Sequence, residues 1–83
     1  MADHMNFREL VDRARRAGRA DHLPPRGMKW VANRCGISLA HVYNLTSGKK
    51  TAPPWTVVKI ARGLGFEVDE VEAALELSRE GDG

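Results

Sequence analysis

An all-α fold of five short helices is the architecture this 83-residue chain predicts. Three observations point to it. Apolar residues recur at helical spacing in five separate segments, glycines and prolines punctuate the intervals between them, and no segment alternates apolar and polar residues as a strand would.

The first helix begins at a capping box. Asn6 accepts from a first-turn amide and Glu9, three residues on, reaches back to the cap, with Met5 and Leu10 at the flanking staple positions. Behind the cap, Phe7, Leu10, Val11 and Ala14 follow the spacing of one buried stripe. Gly18 is expected to end this helix in a left-handed conformation. Residues 19–27 (RADHLPPRG) carry two prolines and no periodicity, and read as a loop. The stripe resumes at Met28, Val31, Ala32 and Cys35, and Gly36 stops it. Ser38 then stands where it caps a third helix running to about Thr46, with Val42 and Leu45 inward and Ile37 packed in the turn. A polar loop follows. Pro53 and Pro54 open a fourth helix, where a missing amide hydrogen costs nothing, and Val57, Val58, Ala61 and Leu64 are its expected core face. Gly65 closes it, and Phe66 supplies an apolar contact beyond the cap. The fifth helix is expected over 68–79, with Asp69, Glu70 and Glu72 near its N-terminus, where negative charge favours the helix dipole.

Length and composition place the whole of 1–83 in one domain with a limited core. One cysteine, Cys35, forms no internal disulfide, no apolar run approaches a membrane span, and no signal-peptide pattern opens the chain, so a cytoplasmic protein is expected. The net charge is only +2, but it is unevenly spread. Positions 1–62 hold twelve Lys and Arg against four acids, and the remainder holds one against seven. Such asymmetry suits one surface made for a polyanion and another kept away from it, although an acidic stretch also serves simply as a solvated helix face.

The informative unit is the pair of helices over 28–46, joined by Gly36-Ile37-Ser38. Its tight connection makes the second helix project while the first supports it from behind. With Val42 and Leu45 inward, the outer side holds Ala40, Tyr43, Asn44 and Ser47, flanked by Leu39 and His41. This face is small, hydrogen-bonding and free of acids.

The run V-A-N-R-C-G-I-S-L-A-H-V-Y-N-L-T-S-G-K-K resembles the Cro/C1-type (XRE-like) helix-turn-helix family. Val31, Ala32, Gly36, Ile37, Ser38, Val42, Leu45, Gly48 and Lys49 fall in register with that family's pattern, and K-I-A-R-G-L-G at 59–65 resembles its fourth helix. The resemblance spans roughly residues 7–66. It implies a lambda-repressor-like five-helix domain, sequence-specific binding of double-stranded DNA and, commonly, a homodimer on a palindrome. It places Leu39, Ala40 and Asn44 at base-facing positions with His41 and Tyr43 beside them. Asn pairs bidentately with adenine, and Leu or Ala meets a thymine methyl. Phosphates would be held by Ser47, Lys49, Lys50 and Thr51 after the third helix, by Met28 and Lys29 at the start of the second, and by Arg26. Three departures stand out: Met28 where the family often has Gln, Thr46 where it often has Glu, and the inserted loop 19–27.

The remaining residues take plainer readings. Cys35 is a packing residue on the apolar stripe. His4, His22 and His41 have no metal-ligand spacing, and neither cofactor nor small-molecule motif is evident. No nucleophile–base pair suggests an enzyme. Trp30 is expected to pack under the inserted loop and Trp55 to be partly buried. On the last helix Val68, Val71, Leu75 and Ser78, with Ala74 and Leu77 nearby, form a narrow stripe. It either packs on the first and fourth helices or forms a two-fold interface, and the interface is the expectation carried forward. The resulting function is a transcriptional regulator, a repressor in its simplest form. The rival is an antitoxin-like or adaptor module using the same fold to bind a protein.

Overall fold

A computed structural model describes residues 5–81 of the chain; His4 lies outside them. The described residues contain five α-helices and no strand: α1 (Phe7–Arg16), α2 (Met28–Cys35), α3 (Leu39–Thr46), α4 (Pro54–Leu64) and α5 (Val68–Gly81).

Local chemistry accounts for where each helix starts. At α1 both halves of the capping box form: Asn6 Oδ1 accepts from the Glu9 amide at 2.8 Å, and Glu9 Oε1 accepts from the Asn6 amide at 3.0 Å. The helix stops at Arg16 with extended Ala17 as its cap, and Gly18 follows at φ +74°, the left-handed conformation expected of it. Ser38 caps α3 by accepting from the His41 amide at 3.1 Å. Gly36 ends α2 at φ +70°, a left-handed conformation that a side chain would strain. Ahead of α5, Glu70 Oε1 accepts from the Glu67 amide at 3.0 Å, a cap the sequence reading missed.

The core is one cluster drawn from every helix. Phe7, Leu10 and Val11 of α1, Val31 and Cys35 of α2, and Val42 and Leu45 of α3 meet Val57 and Ile60 of α4 and Val71, Ala74 and Leu75 of α5. α5 lies against α1, α3 and α4, so it closes this core rather than standing apart from it. Its Ser78 hydroxyl accepts from the Phe7 amide at 2.8 Å, satisfying one of the donors left open at the start of α1. Val71 and Leu75 are buried within the single chain, Ser78 is spent on α1, and of the four residues expected at a two-fold interface only Val68 is well exposed, at 39%. The stripe exists, but its partner is the chain's own core.

α4 sits between α2 and α5 and buries an arc turned away from the expected one. Thr56, Val57, Ile60 and Ala61 are inside, Leu64 is half-buried and Val58 is 37% exposed. The α2–α4 crossing is close enough that a Cβ on Gly63 would lie 2.3 Å from the Arg34 carbonyl oxygen. Arg34 Nε in turn donates to the Gly63 carbonyl at 3.1 Å. Trp55 is 61% exposed, against the expectation that it supports the core.

Candidate nucleic-acid interface

α3 is held in the fold by one side. Val42 and Leu45 are buried and Leu39 packs at the margin of the core, which leaves Ala40 and Tyr43 (52% exposed) outward with Asn44 half-buried between them. His41 is half-buried on the flank. These five residues share the exposed side and its edges, as the helical spacing requires.

The chain then turns on its own backbone. The Gly48 amide donates to the Leu45 carbonyl at 3.2 Å, and the Lys49 amide to the Asn44 carbonyl at 3.0 Å. The Ser47 hydroxyl donates to the Asn44 carbonyl at 3.2 Å, so it serves the turn. Lys49, Lys50 and Thr51 follow with exposed side chains at the C-terminal end of α3.

At the start of α2, Gly27 is the cap and supplies no side-chain acceptor, so the first-turn amides at Met28 and Lys29 have no cap partner. The Met28 side chain packs against the core, so only its backbone amide suits an anion, while Lys29 is exposed. Met28 and Tyr43 line one shallow cleft of about 250 Å³ together with Arg8, Asp12 and Arg15 of α1. The start of α2 and the outer side of α3 are therefore neighbours. Arg8, exposed on α1, joins them; its position off the apolar stripe amid a basic helix was the available signal. Asp12 is neutralised by Arg15 at 2.9 Å.

Arg26 has another role. Its Nη1 donates to the Ala17 carbonyl at 2.7 Å, its amide donates to the Arg15 carbonyl at 3.0 Å, and its guanidinium lies 4.8 Å from the centre of the Trp30 ring. The Arg15 side chain returns a hydrogen bond to the Arg26 carbonyl. Arg26 thus fastens the inserted loop to the end of α1 and the face of Trp30, which places Trp30 beside the insert as expected.

Charge is sorted by element. From residue 22 to residue 66 there is no Asp or Glu, while Arg26, Lys29, Arg34, Lys49, Lys50, Lys59 and Arg62 fall in that span. The acids gather instead around α5, at Glu67, Asp69, Glu70, Glu72 and Glu76, all exposed. Cys35 is buried, and that burial pushes its thiol up to about 11, the nearby Arg34 charge partly opposing the rise. Among the described residues no group of His, Cys, Asp and Glu is placed to hold a metal ion. Among the described residues no helix is long and apolar enough to cross a membrane.

Compared with protein-family models, curated proteins and solved structures, the chain matches none of them.

Proposed function

We propose that this chain is a sequence-specific double-stranded DNA-binding regulator, a repressor in its simplest form, that places α3 in the major groove and acts as a homodimer on a palindromic site. The observation that carries this reading is the exposed side of α3. It offers Ala40, Tyr43 and Asn44 with no carboxylate on the helix or in the loop after it, and Lys49 and Lys50 stand at its end. A single helix fits the major groove, and small and amide side chains reach base edges there. The uncapped start of α2 and the exposed lysines supply positioning contacts to phosphates, which fix the register without reading sequence. Leu39 and Ala40 suit thymine methyls and Asn44 suits adenine, so an A·T-leaning half-site is expected.

Selection from genomic fragments at two salt concentrations tests the reading. A specific fragment should be enriched, and its affinity should fall steeply with salt as neutralised phosphates release their counterions. Asn44→Ala should lose about 1–3 kcal/mol of discrimination between the selected and a random duplex, whereas Lys49→Ala should weaken both alike. Retention of no fragment at low salt would refute the proposal.

A further inference from the structure

A second basic surface lies at the other end of α2 from the α3 side. Arg34 near the end of α2, and Lys59 and Arg62 on α4, line one open cleft of about 420 Å³ together with Asn33, Gly36 and Gly63. Apart from the buried Cys35, no apolar residue lines it. The cleft beside Tyr43 shares none of these residues and adjoins Met28, the first residue of α2.

Among the described residues none of the three cations has a carboxylate partner, and positions 22–66 contain no acid at all. Arg34 Nε donates to the Gly63 carbonyl at 3.1 Å and Lys59 Nζ to the Gly36 carbonyl at 3.4 Å. These bonds tether the two side chains, while the terminal nitrogens of Arg34 and two further protons of Lys59 remain as donors for a ligand. Each wall also pairs a cation with an indole. Lys59 Nζ lies 5.2 Å from the centre of the Trp55 ring, and Arg34 Cζ lies 5.9 Å from that of the half-buried Trp30. Trp55 is 61% exposed, and the exposed Val58 adjoins it at i+3 on the same side of α4.

A cleft lined by cations without acids is complementary to a polyanion, and an exposed tryptophan beside it is apolar surface left without a partner. A single strand of nucleic acid satisfies both: its phosphates follow the cations, and an unstacked base lies on the indole, as every base can because each has a π-face. A duplex keeps its bases stacked inside and offers Trp55 none. An acidic peptide finds no apolar pocket in this cleft to seat an anchoring side chain. We propose that the α2–α4 cleft binds single-stranded DNA or RNA without regard to sequence, with Trp55 as the stacking platform and Arg34, Lys59 and Arg62 as phosphate contacts. The site uses no residue of α3, so it stands or falls apart from the duplex-binding reading above.

Titration with an oligothymidylate and an oligouridylate of about ten nucleotides, followed by tryptophan emission and by the anisotropy of the labelled strand, tests it. Emission should be quenched, and log affinity should fall against log salt with a slope of about −2, at about 0.7 for each of three neutralised phosphates. Lys59→Gln with Arg62→Gln should flatten that slope to about −0.7 and weaken binding about tenfold. Trp55→Ala, at an exposed position, should remove most of the quenching and weaken binding by about tenfold while leaving the slope in place. Asn44→Ala and Lys49→Ala should bind the strands as the wild type does, whatever they do to duplex selection. Binding of either strand supports the proposal, and the tighter of the two identifies the sugar it prefers. A wild type whose emission neither strand changes at low salt overturns it. So does a slope that the Lys59 and Arg62 substitutions leave unaltered, equal quenching by a duplex of the same length, or displacement of the strand by polyglutamate of equal charge.

Discussion

The residue that most constrains the packing of this molecule has no side chain. A Cβ on Gly63 would meet the Arg34 carbonyl oxygen at 2.3 Å and the Arg34 carbonyl carbon at 2.8 Å, both backbone atoms that no rotamer change can move. Alanine in a helix interior gains up to about 1 kcal/mol over glycine, but overpacking a rigid contact costs about 1–3 kcal/mol and here forces two helices apart. Gly63→Ala should therefore lower stability on balance and reduce the melting temperature by several degrees, while Arg62→Ala beside it should not; a Gly63→Ala protein melting above the wild type would contradict the close crossing. Cys35 gives a second prediction at this scale. Its folded-state thiol titrates near 11 rather than at the ordinary 9.0 because burial disfavours the thiolate. A group whose folded pKa is raised contributes stability that is fully present below the unfolded value and is lost as pH rises through the window from about 9 to about 11. Denaturant midpoints should fall across that window in the wild type, and fall less in Cys35→Ala once the cavity cost common to all pH values is subtracted. Thiol reagents at pH 8 should label Cys35 only at the rate of unfolding.

At the scale of the element, helix existence was legible and helix environment was not. The cap at Asn6 and Glu9, the Gly36 stop and the Ser38 cap are local chemistry, so their residues announce them without the rest of the fold. The start of α4 follows for the same reason, from its prolines, while the starts of α2 and α5 and the inward side of α3 follow from apolar spacing. The buried arc of α4 does not. Ile60 is central and Val58 is outside because α4 is wedged between α2 and α5, and four apolar residues on consecutive turns admit more than one phase. Trp55 was misjudged because hydrophobicity gives a preference for burial without saying in whose interior. The α5 stripe shows the same gap: its apolar residues were identified, but an amphipathic stripe carries no address. Loop 19–27 illustrates it for charge. Arg26 has the composition of a phosphate clamp, and only its bond to the Ala17 carbonyl and its place over Trp30 show that it ties the insert down. Arg26→Ala should accordingly lower the thermal midpoint, at a cost of about 1–3 kcal/mol for a lost charged hydrogen bond, and leave the salt slope of DNA binding unchanged, whereas Lys49→Ala should reduce that slope by about 1. Equal loss of slope in both variants would return Arg26 to the phosphate contacts.

For the whole molecule, five helices share one small core, and the last of them is indispensable to it. Val71, Ala74 and Leu75 bring α5 against α1, α3 and α4; the buried Val71 and Leu75 side chains each contribute on the order of 1.5–3 kcal/mol, and the Ala74 methyl adds less. That is a large part of the 5–15 kcal/mol typical of a domain. A chain ending at Phe66 retains the whole candidate reading helix, yet it should show little helical circular dichroism at 25 °C and no cooperative melt. A truncated protein that melts cooperatively would show that α5 is dispensable to the core.

The sorting of charge has a consequence in time as well as in space. α5 is fixed to the core while its exterior carries four exposed acids, with Glu67 just before it, and the acid-free span lies on the other elements, so charge of opposite sign is held on different parts of one body. Approaching a polyanion, such a body feels a torque before it makes any contact, and it turns its acidic end outward over the last Debye length, about 8–10 Å at ordinary salt. With DNA as the proposed partner, many unproductive orientations would be discarded during diffusion rather than after collision. On the DNA-binding reading proposed above, the helix that completes the core would also be the vane that sets the heading.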